Sequence, residues 1–356
     1  TTAINNATAG TSLVVEGAGF AVDGKGRQGT RIFRVAANTT ATFNTIIIKG
    51  GQLIDVEGGP GIFNQGNATI RNSTVTGNKI TNGGGAVTTL GGTLLIENST
   101  ISDNTNFEGS GGGVRLSSGD ATIRNTTISG NSVSVTGGSE VGGGVMIGSA
   151  VGTIVFDSVT IANNKSANGA GIASFATTAP KVTLVNTIAA GNTGNENVGC
   201  FAPITDGGHN FIQSQSNCGF ANGVNGTVVG HAANLGALAD NGGPTQTHLP
   251  NAGSPVINAG ATALTTDQRG IARPQGAADD IGAVEIVACP AFPVDVATAA
   301  ELNAAIACFN ETTTSGLYDI SLSRNITLTA STTVISNSTT SVALQLIGNG
   351  FTVDGQ

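Results

Sequence analysis

The chain has 356 residues, 54 of them Gly and none Trp, with 39% hydrophobic and 10% charged residues and a net charge of −8. Its apolar content excludes a disordered polar chain, and Gly in clusters rather than at every third position excludes collagen. With no Lys/Arg cluster the electrostatic footprint for nucleic acid is missing, and with no apolar run of about 18 residues no membrane insertion is expected.

The chain opens at Thr1 without a signal-like segment, so any targeting signal is expected outside it. The densest apolar run, Thr45-Ile46-Ile47-Ile48, stops at Lys49, Gly50 and Gly51. Internal repetition follows. Ala68-Thr69-Ile70-Arg71-Asn72-Ser73-Thr74-Val75-Thr76-Gly77-Asn78 is restated at 93–104, 121–131 and 152–164, and more loosely at 182–192. The closing residues Asn78, Asn104, Asn131, Asn164 and Asn192 set the period, with steps of 26, 27, 33 and 28 between those numbers. Each unit also carries a Gly cluster before an apolar residue, such as Gly83-Gly84-Gly85-Ala86 and Gly142-Gly143-Gly144-Val145.

Thr-Ile-x-Asn-x-Thr-Ile alternates with the period of two that a strand requires. Gly and Asn supply the positive-φ positions of tight turns. A unit this short cannot bury its own apolar face, but stacked units can, at about 4.8 Å per coil. The expected fold class is therefore all-β, a parallel β-helix or solenoid, with insertions looping out at one turn. A propeller blade needs about 40 residues or more and fits less well. The repeated Asn are expected to form a structural ladder of side-chain amides at one corner rather than a ligand set.

Four Cys follow, at 200, 218, 289 and 308. None of the spacings is that of a CxxC zinc or redox site. Three connectivities are possible. The similar separations of 18 and 19 favour two local structural disulfides, Cys200 with Cys218 and Cys289 with Cys308, and so an oxidising compartment; four buried thiols are the alternative. Between the two pairs lies a loop-rich stretch. Asp267, Arg269 and Arg273 in it are candidates for a structural ion-pair staple. His209, His231 and His248 stand singly and are expected to be structural.

Near the C-terminus the pattern changes. Thr298-x-x-Glu301 reads as a capping box, and Leu302, Ala305, Ile306 and Phe309 fall on one helical face. A short amphipathic helix near 299–309 is predicted as a lid over the end of a β-helix, where strand edges would otherwise recruit other strands. Strands are predicted at 319–322, 326–328 and 342–347. From Thr332 the chain restates its own beginning at an offset of 331 residues (351 − 20), and Gly348-Asn349-Gly350-Phe351-Thr352-Val353-Asp354-Gly355 aligns without gaps to Gly17-Ala18-Gly19-Phe20-Ala21-Val22-Asp23-Gly24. Of the 25 paired positions, 12 are identical. A module boundary is expected near Cys289. The expected organisation is β-helix coils over 1–195, a closing segment over 196–288, and a capping helix with the first coils of a next module over 289–356.

Several separated stretches together resemble a known family. Leu238-Ala239-Asp240-Asn241-Gly242-Gly243-Pro244-Thr245-Gln246-Thr247-His248, Gly253-Ser254-Pro255-Val256-Ile257-Asn258-Ala259-Gly260, Thr266-Asp267-Gln268-Arg269-Gly270-Ile271-Ala272-Arg273-Pro274 and Asp280-Ile281-Gly282-Ala283-Val284-Glu285 resemble the terminal signature of the "choice-of-anchor Q" group of bacterial secreted β-helix proteins. Gly207-Gly208-His209-Asn210-Phe211-Ile212 and Cys218-Gly219-Phe220 fit the same group. The resemblance implies a right-handed β-helix, secretion and an extracellular or cell-surface location, with no known catalytic residues. In that group the signature often precedes an anchor; here a new cap and new coils follow it.

β-Helices also host polysaccharide lyases and hydrolases, which need a set of charged groups on one face. An inverting glycosidase needs two carboxyl groups about 6.5–9.5 Å apart. The one acidic doublet, Asp279-Asp280, belongs to the closing signature. Arg31, Arg34, Arg71, Arg115 and Arg124 are scattered, and Arg71 and Arg124 hold equivalent repeat positions, as on a solvated stripe. The sequence-level expectation is a non-enzymatic structural module of a tandem array or head-to-tail filament, without a cofactor or metal. Its partners would be copies of itself or adjacent modules. The alternative is an adhesin that binds a host or surface glycan through side loops at 104–110 and 133–140.

Overall fold

The computed structural model describes residues 3–4, 8, 11–54, 57–134, 140–176, 182–200, 204–287, 289, 291–312, 314–328 and 332–355. The chain folds as two units, Thr1–Glu285 and Ile286–Gln356.

The first unit is a right-handed parallel β-helix. Its strands stack in columns, each strand paired in parallel with the strand one coil away. One column runs Leu13–Glu16, Thr40–Asn44, Asn67–Arg71, Val87–Glu97, Val114–Ser129, Val145–Ala162 and Val182–Val185. The next places Val22, Ile48, Val75, Ile101, Ile128, Ile161 and Ala189 in register. A third places Val35, Asn64, Thr89, Leu116 and Ile147 in register. The inward residues Phe43, Ile70, Ile96, Ile123 and Phe156 are fully buried in the same core as Ile48, Ile101 and Ile128. No single coil could bury these side chains; the neighbours above and below do so, which makes stability cooperative along the stack.

Turn chemistry explains the period. The corner after the first column turns on Thr45, Asn72, Asn98, Asn125, Ser158 and Asn186, all with φ between 42° and 57°. The corner after the second turns on Gly50, Gly77, Asp103, Gly130, Asn163 and Gly191, with φ between 55° and 70°. Asn and Asp tolerate this left-handed region better than other residues with a side chain, which is why they share these positions with Gly.

The coils run beyond the expected boundary at 195. Val198–Cys200, Thr205–Asp206, Phe211–Ile212 and Val228–Val229 each pair in parallel with the preceding coil. Their strands shrink to two or three residues, and Phe211 and Val228 stand only 17 residues apart. The closing segment proper is residues 230–285. It contains a short antiparallel pair, Leu235–Ala239 with Thr247–Pro250, and is otherwise loop. The second boundary falls at Glu285/Ile286 rather than at 288/289.

The second unit begins with strand Val294–Val296 and helix α1, Ala299–Glu311. Thr298 and Glu301 make the reciprocal bonds of a capping box. Leu302, Ala305 and Ile306 are buried against Val296, Ile320, Leu322 and Ile326. Gly316–Leu322 pairs in parallel with Val294–Val296 and with Val342–Ile347, and Ile326–Leu328 pairs with Val353–Gly355. These are the first coils of a parallel β-helix, with α1 packed on their core. Among the described residues no helix is long and apolar enough to cross a membrane.

Candidate functional site

The feature that sequence periodicity missed is a covered outer face. Thr100, Ser102, Thr127, Ser129 and Thr160 alternate with the inward Ile101, Ile128 and Ile161, so their side chains point out of the coil. They are nonetheless at most 2% exposed. The closing segment lies against them. Thr100 Oγ1 donates to the Gln246 carbonyl at 2.6 Å, and Thr127 Oγ1 to Gln268 Oε1 at 2.7 Å. Gln268 Nε2 donates to the Ser99 carbonyl and to Thr100 Oγ1, both at 3.1 Å, and to Thr245 Oγ1 at 2.9 Å. The Ala283 N–H reaches Thr160 Oγ1 at 3.0 Å, Thr262 Oγ1 reaches Asp157 at 2.8 Å, and Asn186 Nδ2 reaches the Asp280 carbonyl at 3.0 Å. One side chain, Gln268, is thus satisfied by two coils and by the segment itself.

His248 seats the same segment. Its ring is 2.8 Å from Ser129 Oγ through Nε2 and 2.7 Å from the Gly236 carbonyl through Nδ1. A carbonyl only accepts, so Nδ1 carries the proton and the Ser129 hydroxyl donates to Nε2 in the neutral ring. Burial holds the His248 pKa below the ordinary histidine value, against a raising contribution from the Gly236 carbonyl. His209 has a comparable role, with Nδ1 2.9 Å from the Ala259 carbonyl.

Behind this face are two buried ion pairs. Asp267 receives Arg269 Nε at 3.0 Å and the backbone N–H groups of Arg269, Ile271 and Glu285 at 2.8–2.9 Å. Arg273 is paired with Glu285 at 2.9 Å, and its guanidinium also donates to the carbonyls of Asp280 and Gly282. The expected staple of Asp267, Arg269 and Arg273 is therefore two pairs, and the carboxylate opposite Arg273 is Glu285. Burial pushes the Glu285 carboxyl above its ordinary range, opposed by the N–H groups of Asp280 and Gln275. The only sequence signal for Glu285 was its place in the resemblance; nothing in its spacing to Arg273 marks a partner.

The Asn corner forms a continuous amide ladder. Asn78, Asn104, Asn131, Asn164 and Asn192 each donate Nδ2 to the next side-chain oxygen, at 2.8–3.0 Å. Each backbone N–H goes to that same oxygen. The last acceptor is Asn197, which passes the ladder on to Ser214 Oγ at 2.9 Å. Asn197 follows Asn192 by five residues, so a period near 27 could not reveal it. Each oxygen takes two donors, and the ladder satisfies backbone groups that the turn leaves without a strand partner.

Cys200 pairs with Cys218 and Cys289 with Cys308, with Cα–Cα separations of 5.1 and 5.3 Å. Both pairings are compatible with an oxidising environment. Arg71, Glu97 and Arg124 share one register position on the outer face, with Arg124 and Glu97 joined at 2.6 Å. Of the loops expected to protrude, 104–110 begins within a coil, where Asn104 and Asn106 are buried. Residues 135–139 of the other lie outside the described residues. A groove of about 580 Å³ is lined by Val141, Asn168, Phe175, Glu196 and Asn217 among others. Its carboxylate, Glu196, accepts the Gly169 N–H at 2.9 Å. Among the described residues no group of three or more His, Cys, Asp or Glu is placed to hold a metal ion.

The geometry defines the class: a right-handed parallel β-helix whose outer polar flank is clasped by its own closing segment. No protein-family model, curated protein or solved structure matches the chain.

Proposed function

We propose that this protein is a structural module of an extracellular assembly, a stalk, sheath or surface fibre, in which β-helix modules follow one another head to tail. The supporting observation is the recurrence of one coil: residues 332–355 restate residues 1–24, after a capping helix and the strands Gly316–Leu322 and Ile326–Leu328. The reading is non-catalytic, because the buried polar groups of the closing segment are committed to holding it on the coils. Gln268, His248, Asp267, Arg269, Arg273 and Glu285 all fall within the stretches that resemble the choice-of-anchor Q signature, and each makes a packing or pairing contact. On this reading the signature encodes a clasp, and the protein is a secreted bacterial member of that group. Two local disulfides support secretion. The test is the mass of the native polypeptide together with electron microscopy of the native material. Fibres, or a chain spaced in multiples of the 331-residue period, are expected; a dispersed particle of one module would overturn the proposal.

A further inference from the structure

One coil level is drawn twice in this chain, and each copy has the neighbour that the other lacks. In the second unit, Val342–Ile347 and Val353–Gly355 pair with the earlier strands Gly316–Leu322 and Ile326–Leu328. In the first unit, Leu13–Glu16 and Ala21–Gln28 pair with the later strands Thr40–Asn44 and Ile47–Leu53. Among the described residues no strand pairs with the remaining edge of either level.

The two copies agree in detail. Ala18 and Gly19 have φ of 47° and 82°, and Asn349 and Gly350 have 48° and 83°. The Phe20 N–H donates to the Gly17 carbonyl at 2.8 Å, and the Phe351 N–H to Gly348 at 2.7 Å. Both levels expose core-facing side chains. Leu13 and Val22 are in register with the fully buried Ala41 and Ile48, yet are 43% and 39% exposed. Phe20 is 78% exposed, and Leu346, in register with the fully buried Ile320, is 51% exposed. An inward apolar residue at an unpaired strand edge is the arrangement that accepts another strand.

We propose that the edge of the 13–28 level accepts a second copy of residues 286–328, capping helix included. This rests on the module reading above and names the partner and its register. Transferring the pairing of the second unit by the 331-residue offset sets Tyr318 beside Leu13, Ile320 beside Val15, and Ile326 beside Val22. Ile320 and Ile326 then continue the inward columns of Phe43 and Ile48 by one coil, and α1 of that copy covers the end of the core. Residue 331 of the copy would be followed in phase by Thr1.

The test is an extended chain in which a copy of residues 286–331 is joined directly to Thr1, compared with the original chain by amide hydrogen exchange. Within 13–22, exchange at the amides of Leu13–Glu16 and Ala21–Val22 that face the open edge should slow at least about tenfold, since these amides gain a strand partner. An extension carrying Ile320→Asp and Ile326→Asp should leave exchange there as in the original chain. Unchanged exchange at 13–22 in the in-phase extension, or equal protection by the Asp-bearing one, would overturn the register. Neither result bears on whether native material forms fibres, so failure here is separable from failure of the module reading.

Discussion

Arg273 and Glu285 form an ion pair 2.9 Å apart with both side chains at most 1% exposed. Glu285 also accepts the backbone N–H groups of Gln275 and Asp280, so one carboxylate holds three parts of the closing segment. Removing one partner of such a pair leaves an uncompensated buried charge. Glu285→Gln should therefore destabilise the closing segment by about 3–5 kcal/mol, read by urea unfolding. Arg273→Met with Glu285→Leu should cost less than the sum of the single changes. Additive costs would show that the two side chains are not coupled.

The amide ladder predicts an order among substitutions. Asn131 Nδ2 donates to the Ile101 and Ser129 carbonyls and to Asn164 Oδ1. Asn131→Ala leaves several buried groups unpaired and should cost about 2–4 kcal/mol, at roughly 1–3 per orphaned group. Asn131→Asp should cost more, because it sets a carboxylate against three acceptor oxygens. The same exchange at Asn195, whose side chain is exposed, should cost under about 0.5 kcal/mol. Thermal unfolding of the three variants decides it.

Gly282 brings the closing segment into close contact with the coils. Its φ is 99°, and a Cβ there would stand 2.6 Å from Ile188 Cδ1 and 2.8 Å from Thr160 Oγ1. Gly282→Ala combines backbone strain with a clash, so a loss of more than about 1 kcal/mol is expected. Amide exchange in 245–285 should rise, while exchange at Ile70 and Ile96 should stay slow.

His248 gives the closing segment a pH dependence with a defined sign. Its folded-state pKa lies below the ordinary value of 6.5 because of burial. Below that value the unfolded chain binds the proton first, so stability falls as pH drops from about 6.5 and is fully present above it. His248→Asn removes the titrating group while offering an amide N–H to the Gly236 carbonyl. The variant should be less stable at pH 8 yet show a flatter melting temperature between pH 8 and 5. An unchanged slope would place the titration elsewhere.

The coil, its corners and the capping helix were legible because each rests on local chemistry repeated at a fixed spacing. Ile70, Ile96, Ile123 and Phe156 announce one column by recurrence. Thr298 and Glu301 announce a helix start by a four-residue motif. Asn197 was not legible, because the ladder continues through it after the period has broken. Nor was the burial of Thr127 and Ser129. An alternating strand marks them as outward, and what lies outside is set by Gln268 and His248, each more than 100 residues away in sequence.

The sequence by itself determined a parallel coil with Asn and Gly at its corners, since strand period, turn conformation and repeat length are properties of neighbouring residues. Tertiary structure decided which polar residues are buried, which carboxylate faces Arg273, and how far the coils extend beyond residue 195. Those outcomes depend on a segment folding back across the flank of coils it is not adjacent to. Its partners are chosen by hydrogen-bond geometry in three dimensions, which no spacing along the chain encodes.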